Sequence, residues 1–328
     1  MGSLPGTDIA EATRVVLGEL PDLPHVPELP GRGPGADLLG RGAALLAELP
    51  VEIYAARWRV AARPGHDLRV ARDFLERDLD VLADQAAEYQ GTFKVQVVGP
   101  WTLAAMLNLQ TGGAMLRDPG ATRDLAASLA EGVRVHLVEV QARLPHATVL
   151  LQLDEPALPV VLAGRVRTES GLGTLRAVDP SALRTGLTTV IDAAGVPTVV
   201  HCCAAGVPFG LIQEAGAAAV AVDLGLVAER GDLDALGAVL DAGLGLFAGV
   251  VDTSVDAGTG TAAAPATAAE VAAVVQRLWH KLGFPAVRLA AQVVVSPACG
   301  LAGLRPERVR PVLAACRDGA RRLVETSG

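Results

Sequence analysis

The stretch TVLLQLDEP at residues 148–156 sets aliphatic side chains at four of five positions, 149–153, and then ends in two carboxylates and a proline. A nearly continuous apolar run of this length is typical of a strand in a parallel sheet that is covered on both faces. Seven further runs have a similar character, at residues 2–5, 51–58, 93–100, 197–203, 217–223, 244–252 and 290–300. The sequence therefore predicts eight β-strands.

Helical patterns separate these runs. In residues 67–89, apolar side chains recur every three or four positions, the spacing of one helix face. Similar segments occupy residues 119–143, 180–194, 230–242, 266–282 and 305–326. Strands that alternate with helices in this way predict an α/β protein with a (β/α)8 TIM barrel, and the alternative is a doubly wound open sheet.

No linker divides the chain, so we expect residues 1–328 to form a single barrel domain. The Pro- and Gly-rich stretch at about residues 20–35 is expected to be a loop, as is the segment 256–270. The second of these contains GTGT, but it has neither the lysine of a phosphate-binding loop nor the glycine spacing of a dinucleotide fold.

Composition excludes several classes of function. The chain has 28 basic and 36 acidic residues, a net charge of −8 and no basic block, so we expect no nucleic-acid partner. It has no secretory leader pattern and no uninterrupted apolar stretch of about 18 residues, so we expect no membrane partner and a cytoplasmic location. Four cysteines are too few for a disulfide framework, which leaves core, catalytic or metal-binding roles.

Two of these cysteines follow a histidine at the end of the run PTVVHCC, residues 197–203. Side chains alternate faces along a strand, so His201 and Cys203 point the same way and Cys202 points the other. The carboxyl ends of barrel strands form the face that carries active sites. The alternative interpretation is a buried histidine beside two small apolar thiols.

Two more strand ends carry ligand-type side chains. Cys299 lies near the end of the run at 290–300, shortly after VVVS, and Asp223 ends the run at 217–223. One imidazole, two thiolates and one carboxylate make a tetrahedral ligand set that suits zinc better than magnesium or calcium. The remaining cysteine, Cys316, lies in a helical pattern and is expected to be a core thiol.

The carboxylates at the end of the opening stretch are expected to separate. Consecutive side chains at a strand end point to opposite sides, which sends Asp154 into the barrel mouth and Glu155 into a structural hydrogen bond or salt bridge. The alternative is a pair of solvated loop acids.

Together these motifs make the chain similar to a known family. Its order of motifs resembles the C-terminal catalytic barrel of cobalamin-independent methionine synthase, in the superfamily that also holds uroporphyrinogen decarboxylase. The resemblance is carried by GSLPGT at residues 2–7, GPWT at 99–102, LQLDEPAL at 151–158, HCC at 201–203 and SPACGL at 296–301.

The resemblance implies a zinc-dependent methyltransferase that methylates homocysteine to methionine. In that family His201, Cys203 and Cys299 would be zinc ligands, and Asp223 stands where the family has a glutamate ligand.

The resemblance also implies a substrate site. Asp154 would hold the amino group of homocysteine, Ser3 would bind its carboxylate, and Trp101 would lie near the approach of the methyl donor.

Two departures from the family pattern concern the donor. No glutamate appears in residues 56–67, which we expect to follow the second strand, and Thr253 and Ser254 stand where the family has a proton-donating histidine. We therefore expect a methyl-corrinoid donor, free or on a carrier protein, rather than methyltetrahydrofolate. The alternatives to a transferase are a metal-free enzyme of the porphyrinogen decarboxylase type and a non-catalytic barrel with a structural zinc.

Overall fold

The strands of the protein form two sheets in a computed structural model that describes residues 2–230, 232–253 and 266–327. An antiparallel hairpin comes first, made of β1 (Val51–Tyr54) and β2 (Arg57–Val60). The second sheet is parallel and contains β3 (Gly91–Val98), β4 (Ala147–Asp154), β5 (Thr198–Cys202), β6 (Ala219–Asp223), β7 (Gly245–Val251) and β8 (Val293–Pro297).

The parallel strands lie side by side in chain order, from β3 to β8. A doubly wound sheet would reverse its strand order at a switch point, whereas a barrel keeps consecutive strands adjacent. The predicted α/β fold of the TIM-barrel type is confirmed, and the open-sheet alternative is excluded.

Two short extended segments continue this sheet beyond β3. Residues 25–28 form a parallel bridge to β3 between His25 and Lys94, and residues 2–4 form a parallel bridge to residues 25–28 between Ser3 and Glu28. These segments occupy the first two strand positions of the barrel.

The wall of the barrel returns to its start next to β8. The Leu301 N–H donates to the Ser3 carbonyl at 2.8 Å, which joins the segment after β8 to residues 2–4. We call this contact the seam.

The second predicted barrel strand is therefore wrong. Residues 51–58 contain β1, the hairpin turn and the first two residues of β2, and neither strand of the hairpin enters the parallel sheet. The second position belongs to residues 25–28, inside the stretch that was expected to be a loop.

The helices agree with the periodicity of the sequence. They are α1 (Ile9–Glu19), α2 (Leu38–Leu45), α3 (His66–Ala86), α4 (Pro100–Met106), α5 (Pro119–Arg143), α6 (Leu158–Leu162), α7 (Pro180–Ala194), α8 (Phe209–Glu214), α9 (Leu224–Arg230), α10 (Leu233–Asp241), α11 (Ala268–Lys281), α12 (Val287–Gln292) and α13 (Pro306–Ser327). No helix in the described ranges is both long and apolar enough to cross a membrane.

Local chemistry sets where the long helices begin. The Asp118 side chain accepts hydrogen bonds from the first backbone N–H groups of α5, and Asp179 does the same for α7. A proline follows each aspartate at the first helical position, where its missing N–H costs nothing. Thr267 and Glu270 form a reciprocal capping box at the start of α11.

The core lies between the sheet and this layer of helices. Every residue of β5 is buried, and α3 turns Leu68, Leu79 and Leu82 inward. Because the sheet is largely apolar on both faces, the buried polar side chains within it are exceptions, and most of them lie in the carboxyl half of their strands.

Candidate active site

Three of the four predicted metal ligands meet at the carboxyl end of the barrel. His201 lies in β5, Cys203 directly follows it, and Cys299 follows β8. Their ligand atoms all lie within 4.8 Å of one another, and the two sulfur atoms are 3.2 Å apart. The fold thus places one imidazole and two thiols around a common point.

The two thiols share a hydrogen bond, which makes their acidities unequal. Hydrogen bonding to Cys203 lowers the pKa of the Cys299 thiol to about 6, and the charge of His201 helps. The same bond, together with burial, raises the pKa of Cys203. At neutral pH the pair therefore holds one proton and already supplies one thiolate.

The imidazole of His201 is oriented by a carboxylate. Its Nδ1 lies 2.7 Å from Asp154 Oδ1, and both side chains are buried. Burial alone would raise the pKa of Asp154, but the hydrogen bond and charge of His201 outweigh it and lower that pKa. A carboxylate can only accept, so Nδ1 carries a proton, and Nε2 is the ring nitrogen left to face a metal.

His201 Nε2 is buried and has no hydrogen-bond partner among the described residues. An unpartnered buried nitrogen is costly unless a ligand completes it. A lone pair on Nε2 beside two thiols, with a carboxylate on the other ring nitrogen, is the donor set of a zinc site with its outer partner. The residues present therefore fit zinc.

Asp223, the fourth predicted ligand, lies apart from this group. It ends β6, and its Oδ1 accepts a hydrogen bond from the Gly225 N–H at 2.8 Å. It does not fall within the set of ligand atoms that lie 4.8 Å or less from one another. Its role as a ligand stays a prediction. Three protein ligands would leave one coordination position for a substrate, as catalytic zinc sites do.

Ser3 lies beside the segment that carries Cys299. A Cβ at Gly300 would come within 2.1 Å of Ser3 Oγ, so a glycine at this position lets the serine approach. Because Leu301 also donates to the Ser3 carbonyl, the seam holds this hydroxyl at the rim next to the thiol pair.

Glu28 is a rim carboxylate that the sequence analysis missed. It ends the second strand position, opposite Ser3, and is 6 % exposed. The absence of a glutamate after the second strand was inferred from residues 56–67, and that inference fails because the strand lies elsewhere. Glu28 lies in a proline-rich segment that was expected to be a loop, and a single acidic residue in such a segment does not indicate a site.

Arg41 and Asp154 are the charged side chains that act most strongly on Glu28. Burial raises the pKa of this carboxyl, the Arg41 guanidinium opposes that rise, and the charge of Asp154 adds to it. Arg41 Nε lies 3.3 Å from Glu28 Oε1. Glu28 and Asp154 therefore form two interacting carboxyl groups in one barrel mouth.

Glu155 has the structural role expected of it. Its Oε1 accepts from the Trp101 N–H at 2.8 Å, and its Oε2 accepts from the backbone and the hydroxyl of Thr102, both at 2.7 Å. Burial raises the pKa of Glu155 to about 7. The side chain ties the end of β4 to the start of α4.

Trp101 is held inside the wall by this arrangement. Its indole Nε1 donates to the Leu183 carbonyl at 2.8 Å and the residue is 5 % exposed. A Cβ at Gly186 would lie 2.7 Å from the ring, so the indole fills the contact between α4 and α7. A role of Trp101 toward a methyl donor stays a prediction.

The other two cysteines are buried and apolar in setting. Burial raises the pKa of Cys202 and of Cys316 to about 12 each, so both stay thiols.

Of the two hydroxyl residues expected near the donor, Thr253 is half-buried after β7, and Ser254 lies outside the described residues.

The chain is similar to known proteins over most of its length. The sequence profile of a family described as the catalytic domain of cobalamin-independent synthase matches residues 76–322. No curated protein matches the chain at a significant level.

Among solved structures, a B12-independent methionine synthase from Shewanella sp. W3-18-1, in complex with selenomethionine, superposes with a TM-score of 0.63 at 16 % identity. The match covers 99 % of this chain and 96 % of that one. A mandelate oxidase with (S)-4-hydroxymandelic acid covers 98 % of this chain and 94 % of its own, at 15 % identity, but its TM-score of 0.34 is too low to carry an argument.

Proposed function

The chain belongs to the cobalamin-independent methionine synthase family, and on this premise we propose that it is a zinc-dependent methyltransferase that methylates the thiol of homocysteine to form methionine. The observation that carries the proposal is the cluster of His201, Cys203 and Cys299, with Asp154 on the far nitrogen of the imidazole. His201 Nε2, Cys203 Sγ and Cys299 Sγ would hold the metal.

Zinc, when bound, lowers the pKa of a thiol that coordinates it, so that a substrate sulfur is a thiolate at neutral pH. The protein's part is to supply ligands that are themselves ready to bind. Asp154 fixes the tautomer of His201, and the thiol pair already carries one negative charge, so few protons need to leave.

The substrate's polar groups have matching partners in the barrel mouth. Both side-chain hydrogen bonds of Asp154 to the described residues use Oδ1, so its Oδ2 is available to accept from a substrate ammonium. Glu28 supplies a second carboxylate on the same side, and the Ser3 hydroxyl can donate to a substrate carboxylate. Holding both ends of an amino acid leaves its side-chain thiol to reach the metal ligands, which is a contribution of orientation.

The donor belongs to the same proposal. The described residues after β7 offer the Thr253 hydroxyl, a poor proton donor near neutral pH, where the family resemblance implies a histidine. A methyl-corrinoid, free or on a carrier protein, needs no proton on its leaving group, whereas methyltetrahydrofolate does. We assign the methyl-corrinoid as the donor and place Trp101 near the path by which the donor approaches. Residues 1–328 would carry out the reaction as one barrel domain in the cytoplasm.

A cobalt-substituted protein tests the acceptor half of the proposal. Cobalt(II) replaces zinc in such sites and reports thiolate ligands by absorption, so homocysteine should add a sulfur-to-cobalt band that saturates with concentration. Homoserine, which has a hydroxyl in place of the thiol, is the matched control and should leave that band unchanged.

Three outcomes separate the candidate functions. A band with homocysteine alone supports the transferase. Cobalt binding without any response to homocysteine indicates a structural metal in a non-catalytic barrel, and failure to bind cobalt or zinc favours a metal-free enzyme of the decarboxylase type.

A further inference from the structure

A buried row of polar side chains crosses three neighbouring strands below the proposed metal centre. It consists of Lys94 on β3, Gln152 and Asp154 on β4, and His201 on β5. None of the four is more than 8 % exposed. A barrel interior is normally filled by aliphatic side chains, so a polar row of this length needs a reason.

Each member of the row is hydrogen-bonded to the next. Lys94 Nζ donates to Gln152 Oε1 at 3.0 Å, and Gln152 Nε2 donates to Asp154 Oδ1 at 2.7 Å. Asp154 Oδ1 then receives His201 Nδ1 at 2.7 Å. Two N–H groups therefore converge on one carboxylate oxygen.

The lysine determines which way the amide of Gln152 faces. An amide can present either its oxygen or its nitrogen, but an ammonium group only donates, so the oxygen must face Lys94. The amide nitrogen is thereby turned to Asp154. This orientation follows from the donor and acceptor chemistry of the two neighbours, since Lys94 can only donate and the Asp154 carboxylate can only accept.

We propose that Gln152, oriented by Lys94, is a positioning residue that holds Asp154 so that His201 keeps its proton on Nδ1 and offers Nε2 to the metal. This inference rests on the proposed function for its metal, but not for the tautomer of His201. Without the N–H of Gln152, Asp154 loses one of the two bonds that fix its oxygen, and the His201 ring loses its single orientation.

The sheet supplies a matched control. Gln96 on β3 is the register partner of Gln152, is buried to 3 % exposure, and also accepts from Lys94, at 3.3 Å. Its own N–H goes to the Val26 carbonyl and not to Asp154. Replacing either glutamine by leucine removes a buried amide of the same size. Of the two amides, that of Gln152 donates to Asp154 and that of Gln96 does not.

The test compares Gln152→Leu, Gln96→Leu and the parent protein by ¹⁵N NMR of the histidine rings, with metal removed. The His201 signals are those lost in His201→Gln. We expect a single Nδ1–H tautomer in the parent and in Gln96→Leu, and a mixture of tautomers in Gln152→Leu. An unchanged tautomer in Gln152→Leu would overturn the proposal, and so would an equal change in both leucine variants.

A second variant covers a failure of Gln152→Leu to fold. Gln152→Met keeps the length of the side chain but has no N–H to donate to Asp154, so it should also give mixed tautomers. Retention of the parental tautomer in Gln152→Met would contradict the positioning role.

Zinc affinity, measured by competition with a chelator, gives the second readout. Loss of an outer partner should weaken zinc binding about tenfold in both Gln152 variants and leave Gln96→Leu near the parent. If the parent binds no zinc, the proposed function fails, while the tautomer comparison still decides this inference.

Discussion

Cys203 and Cys299 bring their sulfur atoms to 3.2 Å from each other although 96 positions separate them in the chain. Cys203 arrives with β5 and Cys299 with the segment after β8. Neither thiol could be given a partner from sequence distance alone, and the contact exists because both strands end at the same rim of one barrel.

Exchange of a thiol for a hydroxyl should distinguish the two proposed cysteine ligands from Cys316. We expect Cys203→Ser and Cys299→Ser to lose most of their zinc, because a hydroxyl stays protonated where a thiolate would bind. Cys316→Ser should keep about one zinc per chain. Elemental analysis of the purified variants measures this, and equal retention in all three would refute the ligand assignment.

Zinc affinity should fall as the pH is lowered. The pKa of Cys299 is lowered to about 6, so this thiol is ionised at neutral pH, while Cys203 keeps the proton of the pair. Zinc uptake near pH 7.5 should then release about one proton, and uptake below pH 6 about two. Calorimetry in buffers of different ionisation enthalpy counts these protons, and a count that does not rise on acidification would contradict the pairing.

Asp154→Asn should weaken two binding events. Loss of the charge opposite a substrate ammonium should reduce homocysteine affinity by roughly tenfold to a hundredfold. The same change removes the carboxylate from His201, so zinc affinity should fall by about ten- to a hundredfold as well. Homocysteine titration at saturating zinc separates the two effects, and parental affinity for both ligands would make Asp154 merely structural.

The methyl donor can be tested directly. With homocysteine and zinc present, we expect methionine to form from methylcobalamin and not from 5-methyltetrahydrofolate, since the folate needs a general acid to protonate its leaving amine. Methionine is measured by mass spectrometry. Turnover with the folate alone would overturn the donor assignment and would require a proton donor other than Thr253.

A glycine in the turn of the β1–β2 hairpin should stabilise the protein. Ala55 and Ala56 adopt φ of 49° and 61°, a left-handed conformation that strains any residue with a Cβ. Ala56→Gly should therefore raise the free energy of unfolding by about 0.5 to 1 kcal/mol. The control is Ala127→Gly on the exposed face of α5, which should lower it by about 1 kcal/mol. Chemical denaturation of both variants decides the matter, and destabilisation by Ala56→Gly would count against this turn geometry.

The same turn explains why the second barrel strand was placed wrongly. A two-residue hairpin turn with both residues left-handed is normally announced by Asn-Gly or Asp-Gly, and here the sequence offers two alanines. Residues 51–58 therefore resemble one long strand. The true second position, at residues 25–28, contains Pro27 and two ionisable side chains, and only its neighbours make it part of the sheet.

The six strands from β3 to β8 could be predicted because each is a buried apolar run, whose pattern records its surroundings. The location of His201, Cys203 and Cys299 at one rim followed from that fold. The bond between Asp154 and His201 did not, since alternation gives the face of a side chain but not its neighbour across the sheet. Glu28 was missed because its strand position, residues 25–28, lies in a stretch that was expected to be a loop.

The barrel should open locally at the seam between Leu301 and Ser3 before it opens elsewhere in the sheet. Adjacent strands of the sheet are joined by ladders of backbone hydrogen bonds, whereas the described residues at the seam share the bond from Leu301 to Ser3. Local opening requires the least free energy where the fewest such bonds must break, so the amide of Leu301 should exchange with solvent well before those within β5. The segment that opens first is the one that carries Cys299. Local opening at the seam would thus expose the proposed metal ligands to solvent without unfolding the rest of the sheet.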